Sequence, residues 1–114
     1  MSESDPTHTI HGAERRREKR YEVKLPGQLG VNGTVVDVMI GDLSASGALL
    51  LLPNPPEVGE IGDLWISGFG DLEIQIMFSG DAMCGVVFTK PAECRDRLLH
   101  WLKEEVTRSE RRGR

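Results

Sequence analysis

Arg16 and Arg20 stand four residues apart in the stretch RRREKR, with Arg15 and Arg17 flanking the first of them. A guanidinium is planar and permanently charged. It pairs with phosphate through two parallel N–H bonds and stacks on flat rings. About twenty residues later, GDLSASG brings Asp42, Ser44, Ser46 and Gly47 into one short stretch. Asp42 and Ser44 are two apart, so an extended chain points them the same way. A carboxylate there can accept from the N1–H and exocyclic amine of a guanine, and a hydroxyl beside it can donate or accept. Gly47 lets a ligand or the backbone come close, because it has no side chain. One stretch suits phosphate and the other a purine edge. The second also reads as a plain tight turn before an apolar run, and the residues alone leave both readings open.

Other candidates are weaker. His8 and His11 have a metal-ligand spacing but lie in a polar tail with no third or fourth ligand nearby. His100 stands alone on a helical segment and is expected to face solvent. The chain shows no Ser/His/Asp or Cys/His arrangement and no phosphate loop of the Walker or dinucleotide-binding form. Nothing argues for an enzyme, a metal site or a cofactor. Cys84 and Cys94 lack the CxxC spacing, and the N-terminus MSESDPTHTIHG has no apolar export region. Free thiols in a reducing, cytoplasmic setting are therefore expected. The longest uninterrupted apolar run covers 48–52, far short of a membrane span.

Charge is unevenly spread. Residues 21–107 carry five basic and thirteen acidic groups, residues 1–20 five basic and four acidic, and residues 108–114 four basic and one acidic. An acidic body makes a poor nonspecific nucleic-acid surface, so any anion must be caught locally by the arginines.

The frame for these residues is mostly β. A chain of 114 residues, 39% hydrophobic and 28% charged, fits one globular domain with a modest core. YEVKLPGQLGV alternates from Tyr21, and its Pro26 marks an edge or a bulge. Asn32-Gly33 signals a tight hairpin. TVVDVMI, the run 48–52, DLWIS, LEIQIMF and CGVVFTK read as further strands, with Leu72, Ile74, Ile76 and Phe78 assigned to one face. After Pro91, the residues Cys94, Leu98, Trp101, Leu102 and Val106 recur on one helical face. That face is expected to cover the open mouth of the β structure. Six strands and one helix predict a small antiparallel β-barrel with a C-terminal α-helix and a flexible N-terminal arm. The expected organisation is a disordered tail over 1–13, a domain over 14–107 (arm 14–20, barrel 21–90, helix 91–107), and a basic disordered tail over 108–114.

Arg16-x-x-x-Arg20 followed by Asp42-x-Ser44-x-x-Gly47 and then GALLLL resembles the two-part signature of the PilZ domain family, bacterial receptors for cyclic di-GMP. CGVVF and the helix after it resemble the family's last strand and C-terminal helix, and the likeness runs from 14 to 106. It implies a six-stranded barrel whose arginine arm wraps a ligand held on the barrel surface. Arg16 and Arg20 would clamp phosphates and stack on or bond to guanine. Asp42 and Ser44 would read guanine edges, with Ser46 in the same wall, and Gly47 would allow close approach. Arg15 and Arg17 add cations that could serve a second, stacked ligand molecule, so two per protomer are expected. A lone domain of this kind implies an adaptor whose ligand-bound shape is sensed by an unidentified downstream protein. A family fold used only as a protein-interaction module, and a small-barrel nucleic-acid binder using the basic ends, are the competing readings.

Overall fold

The computed structural model describes residues 19–112, with side chains through Arg108. The described residues form six strands: β1 (Tyr21–Val31), β2 (Thr34–Leu43), β3 (Gly47–Leu51), β4 (Ile61–Ile66), β5 (Gly70–Gly80) and β6 (Met83–Phe88). They close into a barrel in the order β1-β2-β3-β6-β5-β4, with every neighbouring pair antiparallel. Closure removes the unpaired edges that an open sheet would expose.

Local chemistry accounts for much of this. Asn32 and Gly33 have φ of 54° and 80°. Positive φ at both central residues is the geometry that matches hairpin twist, and Asn-Gly adopts it at little steric cost. The barrel has no edge for Pro26 to occupy. The β1–β4 ladder instead begins one residue later, at Gly27 opposite Ile66. Proline's missing N–H therefore leaves that ladder intact. The bulge expected near it does exist, as a register shift in β1 between Glu22 and Leu25.

The core fills the barrel. Leu29, Ile40, Leu50, Leu64, Ile66, Ile74 and Ile76 are fully buried there. Each such side chain contributes about 1.5–3 kcal/mol on removal from water. Cys94, Leu98 and Leu102 of the helix α1 (Pro91–Arg112) belong to the same core, with Trp101 and Val106 packed against it. The helix is pinned to the β4–β5 turn by Phe69, whose ring lies 5.3 Å from that of Trp101 and under the Arg97 guanidinium.

Two expectations need correction. The helix does not end at 107 but continues to Arg112. Arg and Glu are good helix formers, Arg108 pairs with Glu105, and no glycine interrupts before Gly113. Phe78 does not share the inward face of Leu72, Ile74 and Ile76. It is 48% exposed, because a register shift between Ile76 and Phe78 inserts Met77 as an extra residue in β5. The alternation of a strand reverses across such a bulge.

Candidate functional site

The hairpin pairing of β1 with β2 brings the two sequence motifs together. Tyr21 lies opposite Leu43 and Glu22 opposite Asp42. Arg20, one residue before β1, therefore reaches the turn that follows β2. Asp42 owes its outward aim to an irregularity. Ile40 and Leu43 both point into the core, which strict alternation forbids for residues three apart. The register of β2 against β3 slips at Gly41, between Ile40 and Asp42, and puts the carboxylate on the outer wall.

Ser44 holds the turn. Its N–H donates to the Gly47 carbonyl at 2.9 Å, and its Oγ accepts from the N–H groups of Ser46 and Gly47 at 3.3 and 3.2 Å. The hydroxyl also reaches the Gly47 carbonyl at 3.3 Å, and the residue is buried. The Ser46 carbonyl accepts from the Phe88 N–H at 2.8 Å, tying the turn to the end of β6. A Cβ at Gly47 would collide with the Val86 carbonyl oxygen, so the missing side chain admits the neighbouring backbone.

These residues border one cleft of about 410 Å³ in the barrel wall, lined by Arg20, Asp42, Ser44, Ser46 and Gly47. Its volume falls within the roughly 300–1,000 Å³ usual for small-molecule sites. Arg20 is exposed at the cleft, whereas Asp42 is half-buried. Arg15, Arg16 and Arg17 lie outside the described residues, as do His8, His11, the expected tail over 1–13 and the last two residues of the tail expected over 108–114. The floor and far side are apolar, from Leu49, Val87, Met77 and Phe78, with Gly85 between. Sequence reading overlooked these residues. The signal was there: Met77-Phe78 places two large apolar residues in succession after the alternating Leu72, Ile74 and Ile76, and such a break marks a bulge.

Elsewhere the polar groups have plainer roles. His100 pairs with Glu104 one helical turn away at 3.3 Å. Among the described residues no cluster of His, Cys, Asp and Glu could hold a metal ion, and no helix is long and apolar enough to cross a membrane. Cys84 and Cys94 are unpaired and buried, and burial pushes the Cys84 thiol pKa up.

None of the curated proteins matches the chain. Among solved structures, the PlzA protein of Borreliella burgdorferi in complex with c-di-GMP is similar, with 17% identity and a TM-score of 0.57 over 78% of this chain. The chain spans only 44% of that protein's length. An uncharacterized Legionella protein, Lpg0364, is similar at 23% identity and a TM-score of 0.53, over 82% of this chain and 98% of that one. At these identities the likeness establishes the fold. The PilZ domain model matches residues 14–104, and with that match, on a closed six-stranded barrel followed by a helix, the chain belongs to the PilZ domain family.

Proposed function

We propose that the protein is a receptor for cyclic di-GMP, with Arg20, Asp42, Ser44, Ser46 and Gly47 forming the wall of the site and Arg15, Arg16 and Arg17 completing it from the preceding segment. The observation that carries this reading is the convergence of Arg20 and the 42–47 stretch, separate in sequence, on one cleft. The Borreliella relative, whose structure holds c-di-GMP, supports the choice of ligand. In this reading the arginines bind phosphate and stack on base, because a guanidinium does both. Asp42 accepts from the guanine edge. Ser44 acts mainly by holding the turn that presents its neighbours.

Ligand binding would order the arginine segment over the cleft, and a separate protein would sense the new surface. Titration of cyclic di-GMP by calorimetry, beside cyclic di-AMP and an RNA oligonucleotide, tests the reading. Binding of cyclic di-GMP with a Kd at or below the micromolar range, about −8 kcal/mol or stronger, is expected. Trypsin cleavage after residues 15–20 should slow when the ligand is added. Equal cleavage rates with and without it would remove the ordering step.

A further inference from the structure

The strand β4 contributes nothing to the cleft. Its outer face nevertheless carries two large apolar side chains in the open, Trp65 at 40% exposure and Ile61 at 58%. Trp65 belongs neither to the buried core nor to the residues packed against it. Cross-strand pairing sets it between Gln28 of β1 and Asp71 of β5, and Gln28 stands opposite Asp37 of β2. The adjacent outward row runs Val35, Gly30, Asp63 and Glu73 over the same four strands. Gly30, with no side chain, keeps the wall low between Val35 and Asp63. These two rows hold four exposed carboxylates and no basic residue.

Two of the four are engaged. Asp37 accepts from the Gln28 amide at 3.2 Å, and Glu73 accepts from the Thr89 hydroxyl at 2.5 Å with Lys90 at 3.9 Å. Among the described residues, neither the Asp63 nor the Asp71 carboxylate has a hydrogen-bond or ion-pair partner. Both are neighbours of Trp65. Directly opposed residues place their Cβ atoms ~5 Å apart, which sets Asp71 beside the indole. Asp63 lies two residues along the same strand, roughly 7 Å away on the same face. An exposed indole thus stands between two carboxylates that face solvent. A cation over the face of an indole is attracted by the ring's electron density, most strongly for tryptophan. At that position it is also within ion-pair reach of both carboxylates.

We propose that this wall is a docking surface for an arginine- or lysine-bearing segment of a partner protein, one cation lying over Trp65 between Asp63 and Asp71. Charge complementarity selects the occupant: four carboxylates repel a nucleic-acid strand or an acidic peptide and attract a basic one. Tryptophan is also among the side chains that carry most of the energy of protein interfaces. Ile61 and Val35 extend the contact for the apolar residues of the segment. The proposal is independent of the cyclic di-GMP reading, because this wall and the cleft share no residue.

The test is an NMR titration of the full chain with a tetra-arginine peptide amide and with its neutral, near-isosteric tetra-citrulline counterpart. The Trp65 indole resonance is assigned by its absence from the Trp65→Leu spectrum. The arginine peptide should shift that resonance and saturate it, and the citrulline peptide should bind at least about 5-fold more weakly. Trp65→Leu should weaken the arginine peptide about 2- to 5-fold, the effect of one exposed cation–π contact. The Asp63→Asn/Asp71→Asn double variant should weaken it about 2- to 30-fold, the range for two exposed ion pairs. Asp96→Asn, which removes an exposed carboxylate from the helix, should leave the affinity unchanged. An unmoved Trp65 resonance at millimolar arginine peptide, or equal binding of the two peptides, would overturn the proposal. So would an Asp96→Asn loss as large as that of the double variant, which would mean diffuse attraction to an acidic protein. Self-association that Trp65→Leu abolishes, without peptide binding, would make the wall an interface between copies and overturn the partner assignment. Should Trp65→Leu fail to fold, the double variant, which exchanges only exposed groups, and the two wild-type titrations decide.

Discussion

A Cβ on Gly47 would overlap the carbonyl oxygen of Val86 on the neighbouring strand. The glycine of the motif is thus required by the β3–β6 ladder before any ligand arrives. Gly47→Ala should destabilise the ligand-free barrel by about 1–3 kcal/mol, since backbone must shift to admit the methyl group. Chemical denaturation measures this. An unchanged midpoint would mean that the strands part there at no cost.

Ser44 and Asp42 should separate into a structural and a recognition role. Ser44→Ala removes the acceptor of the Ser46 and Gly47 N–H groups and should cost about 1–3 kcal/mol of stability. Asp42→Asn leaves those bonds intact and should keep the wild-type midpoint. It should, however, erase the preference for cyclic di-GMP over cyclic di-AMP, expected to be at least about 100-fold in the wild type. A preserved preference in Asp42→Asn would place base selection elsewhere.

Arg20→Ala should leave the ligand-free midpoint unchanged, because the side chain is exposed and outside the core. Cyclic di-GMP affinity should fall about 10- to 100-fold, the effect of losing one charge-assisted contact of about 1.5–3 kcal/mol. Equal affinity in the variant and the wild type would remove Arg20 from the site.

Arg15 bears on stoichiometry. One cyclic di-GMP molecule carries two phosphates, and a stacked pair four, beside an acidic barrel. Two molecules per protomer are expected for the wild type, and Arg15→Leu should lower the count towards one while guanine preference is retained. Calorimetry with the active fraction measured independently reads both. A wild-type count of one would leave Arg15 without this role.

Cys84 links stability to alkaline pH. Burial raises its pKa above the ordinary 9.0, so the folded state keeps the thiol protonated where the unfolded chain would release the proton. The unfolded state then binds fewer protons, and stability falls as pH rises from about 9 towards the folded-state value. Below 9 this contribution is fully present. Denaturation midpoints across alkaline pH should drop more steeply for the wild type than for Cys84→Ala, and parallel curves would show that the thiolate is accommodated.

Several features of this protein were determined by local sequence. Asn32-Gly33 specifies its hairpin by backbone preference, the alternation of Leu72, Ile74 and Ile76 specifies an inward face, and the spacing from Cys94 to Val106 specifies the helix that meets the barrel. These signals act over a few residues, so they survive without knowledge of neighbours. The two motifs were visible as chemistry, and only the family resemblance implied that they meet on one ligand. Tertiary structure decided that Arg20 meets the 42–47 turn, through the antiparallel register of β1 and β2. It decided that Gly47 answers to the Val86 backbone and that the Ser44 hydroxyl is engaged within its own turn. It also turned Asp42 and Phe78 outward, by slips at Gly41 and Met77. A bulge is a mismatch between two strands, so its position depends on a partner that no single stretch of sequence contains.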